Sequence, residues 1–146
     1  MYFVNDTIGQ TPLLQHYTIQ DGLPSNKVYC AIRDRRGFAW LATDNGLVRF
    51  DGSSFKIYTV KDGLPDNDVF TVFEDNKGKV WVLTSKQTPC FFLDDKLYTA
   101  ANDTFLAKYF NDPDRYRFTV NPYLKRLMFF VIWEEHYTAV EYGQPP

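Results

Sequence analysis

A segment of 27 residues occurs twice in this chain, and no other feature constrains the fold as strongly. Residues 17–43 align without a gap to residues 58–84, and 12 of the 27 aligned positions are identical. Unrelated segments do not share this much identity. A fixed period of roughly 20–50 residues is typical of repeat architectures, in which similar units pack side by side. We therefore expect a fold built from units of about 41 residues.

The identical positions concentrate in turns and near the centres of apolar runs. The main ones are Asp21, Gly22, Leu23, Pro24, Gly37 and Trp40 in the first copy, and Asp62, Gly63, Leu64, Pro65, Gly78 and Trp81 in the second. Gly permits positive φ and Pro removes a backbone donor, so Asp-Gly-Leu-Pro ends one strand and starts a crossing loop. An acid followed by Gly at the fourth position, as in 34–37 and 75–78, predicts a tight turn.

Short apolar runs between these turns predict four antiparallel strands in each unit. They lie at 28–34, 38–43, 47–50 and 55–59 in the first unit, and at 69–74, 79–84, about 90–93 and 96–99 in the second. The first strand of each unit is apolar on both faces, which favours a strand sandwiched between two layers. Evenly spaced strands with Gly and aromatic residues are typical of propeller blades.

The chain is accordingly predicted to be all-β, a β-propeller segment of about three four-stranded antiparallel blades. As one partial propeller domain (1–146), it would comprise an outer strand at 13–19, blade one at about 21–60, blade two at about 62–99 and a degenerate blade three at about 115–142. A helical turn is expected near 104–110. Closed propellers need roughly four to eight blades, so we expect partners to cover the apolar end faces. These are further blades of a parent chain or a second copy in a dimer.

Composition excludes several classes of function. The net charge of −2 gives no electrostatic basis for binding nucleic acid. No apolar run reaches the ~18 residues that span a bilayer, so we expect no membrane contact by this segment. No signal peptide is recognisable at the start of the sequence. Cys30 and Cys90 lie in apolar runs and are interpreted as buried free thiols, although a disulfide between them stays open.

The repeated motif resembles the two-component regulator propeller repeat of the extracytoplasmic sensor region of bacterial hybrid and conventional histidine kinases. The resemblance rests on Asp-Gly-Leu-Pro-x-Asn-x-Val, then Asp-x-x-Gly-x-x-Trp-x-x-Thr, and on Gly-Leu-x-x-Phe-Asp-Gly at 46–52. It covers 17–84 well. Gln87-Thr88-Pro89 then stands where Gly-Leu is expected, and the third unit follows by topology only.

The resemblance implies a non-catalytic sensor that binds a ligand or partner in the periplasm, within a parent anchored in the inner membrane. Kinase domains outside this chain would perform the phosphorelay. A carbohydrate or other small molecule is the implied ligand, and no cofactor is expected. The alternative is a fragment of a propeller-fold carbohydrate-active enzyme, a lyase or glycosidase. Two carboxyl groups with perturbed pKa values in one pocket would favour that alternative.

Candidate binding residues lie where the crossing loops and the turns of 44–46 and 85–87 should share one rim. They are Ser25, Asn26, Asp44, Asn45, Asp66, Asn67 and Lys86. Asp, Asn and Ser also simply build turns, and this is the competing interpretation. Trp40 and Trp81 are interpreted as core between blades instead of a sugar-stacking platform. No catalytic residue and no metal ligand is predicted, because Asp75-Asn76-Lys77-Gly78 lacks the remaining ligands of a calcium loop.

Overall fold

The structure is a computed structural model that describes residues 2–5, 13–110, 116–121, 126–133 and 136–141, with side-chain surroundings for residues 15–110. The strands are β1 (Tyr2–Asn5), β2 (Leu13–His16), β3 (Val28–Arg33), β4 (Ala39–Thr43), β5 (Gly46–Phe50), β6 (Phe55–Tyr58), β7 (Val69–Glu74), β8 (Val80–Thr84), β9 (Cys90–Leu93), β10 (Lys96–Tyr98), β11 (Tyr116–Asn121), β12 (Arg126–Trp133) and β13 (His136–Glu141). The helical elements are two 3₁₀ turns, Ile19–Asp21 and Val60–Asp62, and α1 (Thr104–Tyr109).

Two sheets of four antiparallel strands form the main part of the structure. Blade 1 has the order β3-β4-β5-β6, and blade 2 has the order β7-β8-β9-β10. Each strand pairs with the next in sequence, because short turns connect them. The pairing register shifts between Val28 and Cys30 and again between Val69 and Thr71, so the two blades share a β-bulge at the same position. The predicted all-β propeller class is confirmed, and two complete blades leave the circle open.

The remaining strands form smaller sheets. Strands β11, β12 and β13 make a three-stranded antiparallel sheet, and β1 pairs with β2. The strand expected at 13–19 is shorter than predicted and ends at His16. The reason lies in the next residues: the Thr18 side chain accepts from the Gln20 N–H while the Asp21 carboxylate accepts from the Thr18 N–H, which caps a 3₁₀ turn.

Blade 1 and blade 2 pack face to face around aromatic rings. The Trp40 ring lies 5.1 Å from the Phe92 ring of blade 2 and 6.1 Å from the Tyr58 ring. Val80 and Val82 complete the same cluster from β8. Only 3% of the Trp40 surface is exposed, so the interpretation of this tryptophan as core between blades is confirmed.

The other face of blade 2 is covered by the segment that follows it. Trp81 packs there with Leu83 and Phe91, and Leu106 and Phe110 close the cluster from α1 and its C-terminal end. Trp81 is 1% exposed, which confirms that it belongs to the core, but it packs against α1 and not between two blades as predicted. The helical turn expected near 104–110 is therefore present, and it contacts the blade 2 face that corresponds to the Trp40 face of blade 1.

The innermost strands are less buried than their apolar sequences suggest. Along β3 the residues alternate between half-buried and exposed, and 42% of the Tyr29 surface is open. The equivalent residue of β7, Phe70, is 36% exposed. The prediction of two covered faces was wrong for β3, because β7 packs against it from one side and the described residues leave the other face open.

Candidate functional site

The crossing loops that connect the blades are built by the same hydrogen bonds in both copies. Thr59 and Asp62 repeat the capping arrangement of Thr18 and Asp21. Gly63 follows with a φ of 100°, a left-handed conformation that glycine adopts without steric cost. The Asp-Gly-Leu-Pro motif therefore specifies a capped turn.

Two asparagines of the predicted site hold these loops closed. The Asn26 side-chain oxygen accepts from the Ile19 N–H at 3.0 Å, and the Asn67 oxygen accepts from the Val60 N–H at 2.8 Å. Because both side-chain oxygens are engaged by backbone, the repeat of asparagine at this position has a structural reason.

The turn between β4 and β5 connects the two crossing loops. The Asn45 side chain donates to the Pro24 carbonyl at 3.1 Å, and the Gly46 N–H donates to the Asn67 carbonyl at 2.7 Å. This places the β4–β5 turn between the loop that enters blade 1 and the loop that enters blade 2. We call this end of the strands, formed by residues 17–27, 44–46, 58–68 and 85–87, the loop rim.

The predicted site residues thus lie on one rim, as expected, and charges of both signs accompany them. The Ser25 hydroxyl accepts from the Lys27 N–H. Hydrogen bonding to Tyr29, and then the charges of Asp44 and Asp68, raise the pKa of the Lys27 ammonium. The loop rim therefore combines turn-building side chains with charged groups that face solvent.

Blade 2 carries the complementary part of the loop rim. The pKa of the Asp66 carboxyl group is lowered mainly by a hydrogen bond from the Asp68 N–H. A hydrogen bond from the Ser85 hydroxyl and the positive charge of Lys86 lower it further. Next to them, Oγ1 of the fully buried Thr84 and Oδ1 of Asp68 have no hydrogen-bond partner among the residues that the structure describes. The blade 1 equivalent of Thr84, Thr43, donates its hydroxyl to the Gly46 carbonyl at 2.6 Å.

The opposite ends of the strands carry a second repeated network, in which an aspartate links a turn to a tryptophan. Asp34 accepts from the N–H groups of Arg36 and Phe38 and from the Trp40 indole N–H at 2.7 Å. Asp75 makes the same three contacts six residues before Trp81. The Asp-x-x-Gly-x-x-Trp motif is therefore explained by one carboxylate that orders both the turn and the indole.

Arginines on this second rim connect the blades, and sequence reasoning missed them. We call this end, formed by the turns at 34–37, 75–78 and 94–95, the turn rim. The Arg35 guanidinium pairs with Glu74 at 2.9 Å. Arg36 and Arg49 of blade 1 both pair with Asp95 of blade 2. Asp95 has a φ of 63°, a left-handed conformation that the two-residue turn between β9 and β10 requires at this position.

A third crossing turn also escaped the sequence reasoning. The Asn102 side chain accepts from the Thr99 N–H at 2.8 Å, and the Thr99 hydroxyl accepts from the Ala101 N–H. Asn102 thus takes the place of Asp21 and Asp62. The signal that would have found it is the pair Tyr-Thr, which recurs at 17–18, 58–59 and 98–99.

The two cysteines are free thiols that differ in burial. Cys30 and Cys90 are free, and burial raises the pKa of Cys90 strongly. Cys30 is only half-buried, which corrects the prediction that both are buried, because β3 is covered on one face. In the described part of the chain, no three His, Cys, Asp or Glu side chains come close enough to hold a metal ion.

Comparison with known proteins identifies the repeat. The model of the two component regulator propeller family matches residues 22–45 and 63–86, so the chain carries two copies of that repeat. Comparison with curated proteins gave no match. The matched residues end in the β4–β5 and β8–β9 turns of the loop rim.

Several solved structures share the fold, among them the following two. One is the extracellular domain assigned to a hybrid two-component system of B. thetaiotaomicron, with 22% identity and a TM-score of 0.56 over 82% of this chain. The other is a catalytically inactive virginiamycin B lyase from Staphylococcus aureus with quinupristin, with 17% identity and a TM-score of 0.50 over 94%. The chain spans 16% of the first protein and 47% of the second. At such identities the likeness establishes the propeller fold alone.

Proposed function

We propose that this chain, which carries two two-component regulator propeller repeats, is part of the sensor region of a two-component receptor. In this proposal it is extracytoplasmic and non-catalytic, and it binds a ligand or partner through residues at the blade rims. Kinase domains elsewhere in the parent protein would carry out the phosphorelay. In the described part of the chain, no helix has the length and apolarity to cross a membrane.

The observation that carries the proposal is that the positions repeated in both copies build the fold, whereas the divergent positions lie beside them on the rim. The identical residues cap turns, anchor loops or fill the core, as the contacts of Asp62, Asn67 and Trp81 illustrate. The rim positions beside them differ between copies. The pairs are Ser25 and Asp66, Lys27 and Asp68, Asp44 and Ser85, and Asn45 and Lys86. Ser25, Asn45 and Asp66 also make hydrogen bonds within the loops. Asp44 and Lys86 neither repeat nor take part in those bonds, so their side chains are free to recognise a ligand.

The charges favour binding over glycosidase catalysis. A glycosidase of this fold would need a carboxylic acid with a raised pKa to protonate its substrate. The carboxyl groups whose pKa values are displaced in residues 15–110 are Asp21, Asp51, Asp66 and Asp95, and all are displaced downward by hydrogen bonds or arginines. At 17% identity the likeness to the lyase supports the fold and not a shared reaction.

The proposed partners of the blade faces are further blades of the parent chain, or a second copy when the chain is isolated. Leu41 and Val48 lie on the face of blade 1 that points away from blade 2. Leu23 of the crossing loop and a few half-buried side chains cover them there. Light scattering of the isolated chain should show a dimer. A well-folded monomer at all concentrations would contradict the proposed dimer.

The sensor role is tested in the full-length protein with a transcriptional reporter of its output. Cells are grown on individual mono- and oligosaccharides, and the concentration for half-maximal response is compared with that of the D44N and K86Q variants. We expect at least one sugar to raise the output, and both variants to shift that concentration by about tenfold. An output that ignores every sugar, or that responds identically in both variants, would refute sugar sensing through the loop rim.

A further inference from the structure

A cleft of about 260 Å³ opens on the turn rim, where blade 1 meets blade 2. Its walls are the β3–β4 turn of blade 1 and the β7–β8 and β9–β10 turns of blade 2. Its floor is made by Trp40, Val80 and Phe92, each at most 4% exposed. Because the floor is almost covered, a bound molecule would meet mainly the polar walls.

Most charges in these walls already have partners. Arg35 pairs with Glu74, and Arg36 pairs with Asp95, which also binds Arg49 from β5. The fifth lining charge, Asp34, is 7% exposed and accepts three hydrogen bonds from its own turn and from Trp40. These groups stabilise the junction of the blades, and they leave no surplus of one sign that would select a simple cation or anion.

Two charged side chains of opposite sign remain at the walls. Lys77 lies in the β7–β8 turn and Asp94 in the β9–β10 turn, and both line the cleft. In the described part of the chain, neither side chain makes an ion pair or a hydrogen bond. Asp94 has a φ of 49°, so the β9–β10 turn uses the left-handed conformation although it contains no glycine.

We propose that this cleft binds a small zwitterion, whose carboxylate pairs with Lys77 and whose ammonium group pairs with Asp94. The proposal deepens the proposed sensor function, on which it rests, by naming a ligand class and a second rim. A lysine and an aspartate on two walls complement a molecule with one charge of each sign. A molecule with a single charge can pair with only one of these two side chains. An apolar molecule would bury little surface, because the floor residues are almost fully covered.

The binding test uses the whole chain and a series of amino acids as probes. Glycine, β-alanine and 4-aminobutyrate carry the same two charges at increasing separation. Methylamine and acetate carry one charge each, and a monosaccharide carries none. In NMR titrations we expect one member of the series to shift the backbone amides of residues 76–78 and 94–96, while the singly charged and neutral probes shift them at least about tenfold more weakly.

Two variants separate binding from folding. K77Q removes the cation from an exposed turn, and D94N removes the anion with a residue that tolerates the left-handed region. Each should weaken binding of the best probe by about tenfold, because one charge-assisted contact is lost. K61Q, in the exposed 3₁₀ turn of the loop rim, is the matched control and should bind as the unchanged chain does.

Three results contradict the proposed zwitterion site. No shift with any of the three amino acids, equal shifts with the monosaccharide, or unchanged binding in K77Q and D94N would overturn it. The sensor function has a separate readout, the cellular reporter. A receptor that responds to a stimulus while its cleft binds no zwitterion leaves the sensor role standing and removes only the ligand assigned here.

Discussion

Replacing Asp34 by alanine should destabilise the chain substantially, because this buried residue at the start of an exposed turn orders both the turn and Trp40. Its carboxylate accepts the Trp40 indole N–H at 2.7 Å, and Trp40 is the central ring between the blades. The same carboxylate accepts the N–H groups of Arg36 and Phe38. The substitution therefore removes the acceptor of one buried donor and two donors near the surface.

The magnitude follows from burial. A buried donor that loses its partner costs about 1–3 kcal/mol. The two backbone N–H groups lie in an exposed turn where water replaces the carboxylate, so each adds only about 0.5 kcal/mol. The sum is about 2–4 kcal/mol. For a domain of this size, 1 kcal/mol corresponds to about 2–4 °C in Tm, so we expect Tm to fall by about 4–16 °C.

The assay is urea unfolding followed by far-ultraviolet circular dichroism, in a cycle with W40F. Phenylalanine removes the indole donor that D34A leaves unsatisfied. The double variant should therefore be about 1–2 kcal/mol more stable than the sum of the single effects predicts. This coupling separates the hydrogen bond from any general effect on the turn.

Additive effects in the cycle would refute the reasoning, since they would mean that Asp34 and Trp40 act independently. Asp51 provides the control. It accepts four hydrogen bonds from Ser53 and Ser54 in the exposed β5–β6 turn. If burial and not bond number decides the cost, D51A must destabilise the chain less than D34A does.

Three further predictions concern the glycines, the thiols and the ion pairs. G46A should lower the free energy of unfolding in urea by about 2–4 kcal/mol, because the residue has positive φ and its Cβ would lie 2.8 Å from a backbone oxygen. The Cβ of G52A would meet nothing within 4 Å, so this variant should lose only about 1–2 kcal/mol. Equal losses in the two variants would contradict this. A thiol reagent should label Cys30 in the folded chain and reach Cys90 only in denaturant, because burial raises the pKa of Cys90. Arg36 and Arg49 lower the pKa of Asp95, so its stabilising effect is present at neutral pH and lost as the pH falls below about 4. The Tm difference between D95N and the unchanged chain should shrink over that range, and a difference independent of pH would exclude the ion pairs as its cause.

The local devices of the repeat follow from the sequence. Asp-Gly-Leu-Pro specifies a turn because glycine accepts positive φ and the aspartate reaches a backbone N–H three residues earlier, as Asp21 does with Thr18. Short apolar runs and turn residues also predict the strands of both blades. These features depend on neighbours within seven residues, so a single sequence contains the information.

The contacts between blades depend on the tertiary structure, because they join residues about 40 to 60 positions apart. The pairing of Arg36 and Arg49 with Asp95 requires the two sheets to stack in one particular way, and no spacing in the sequence encodes it. The same holds for the cleft between Lys77 and Asp94 and for the open face of β3. The sequence by itself determined the repeat, the strands and the turns, because local sterics and hydrogen bonds govern them. Only the packing of one blade on the next decided which charges are paired, which aromatic residues are covered and where a ligand finds room.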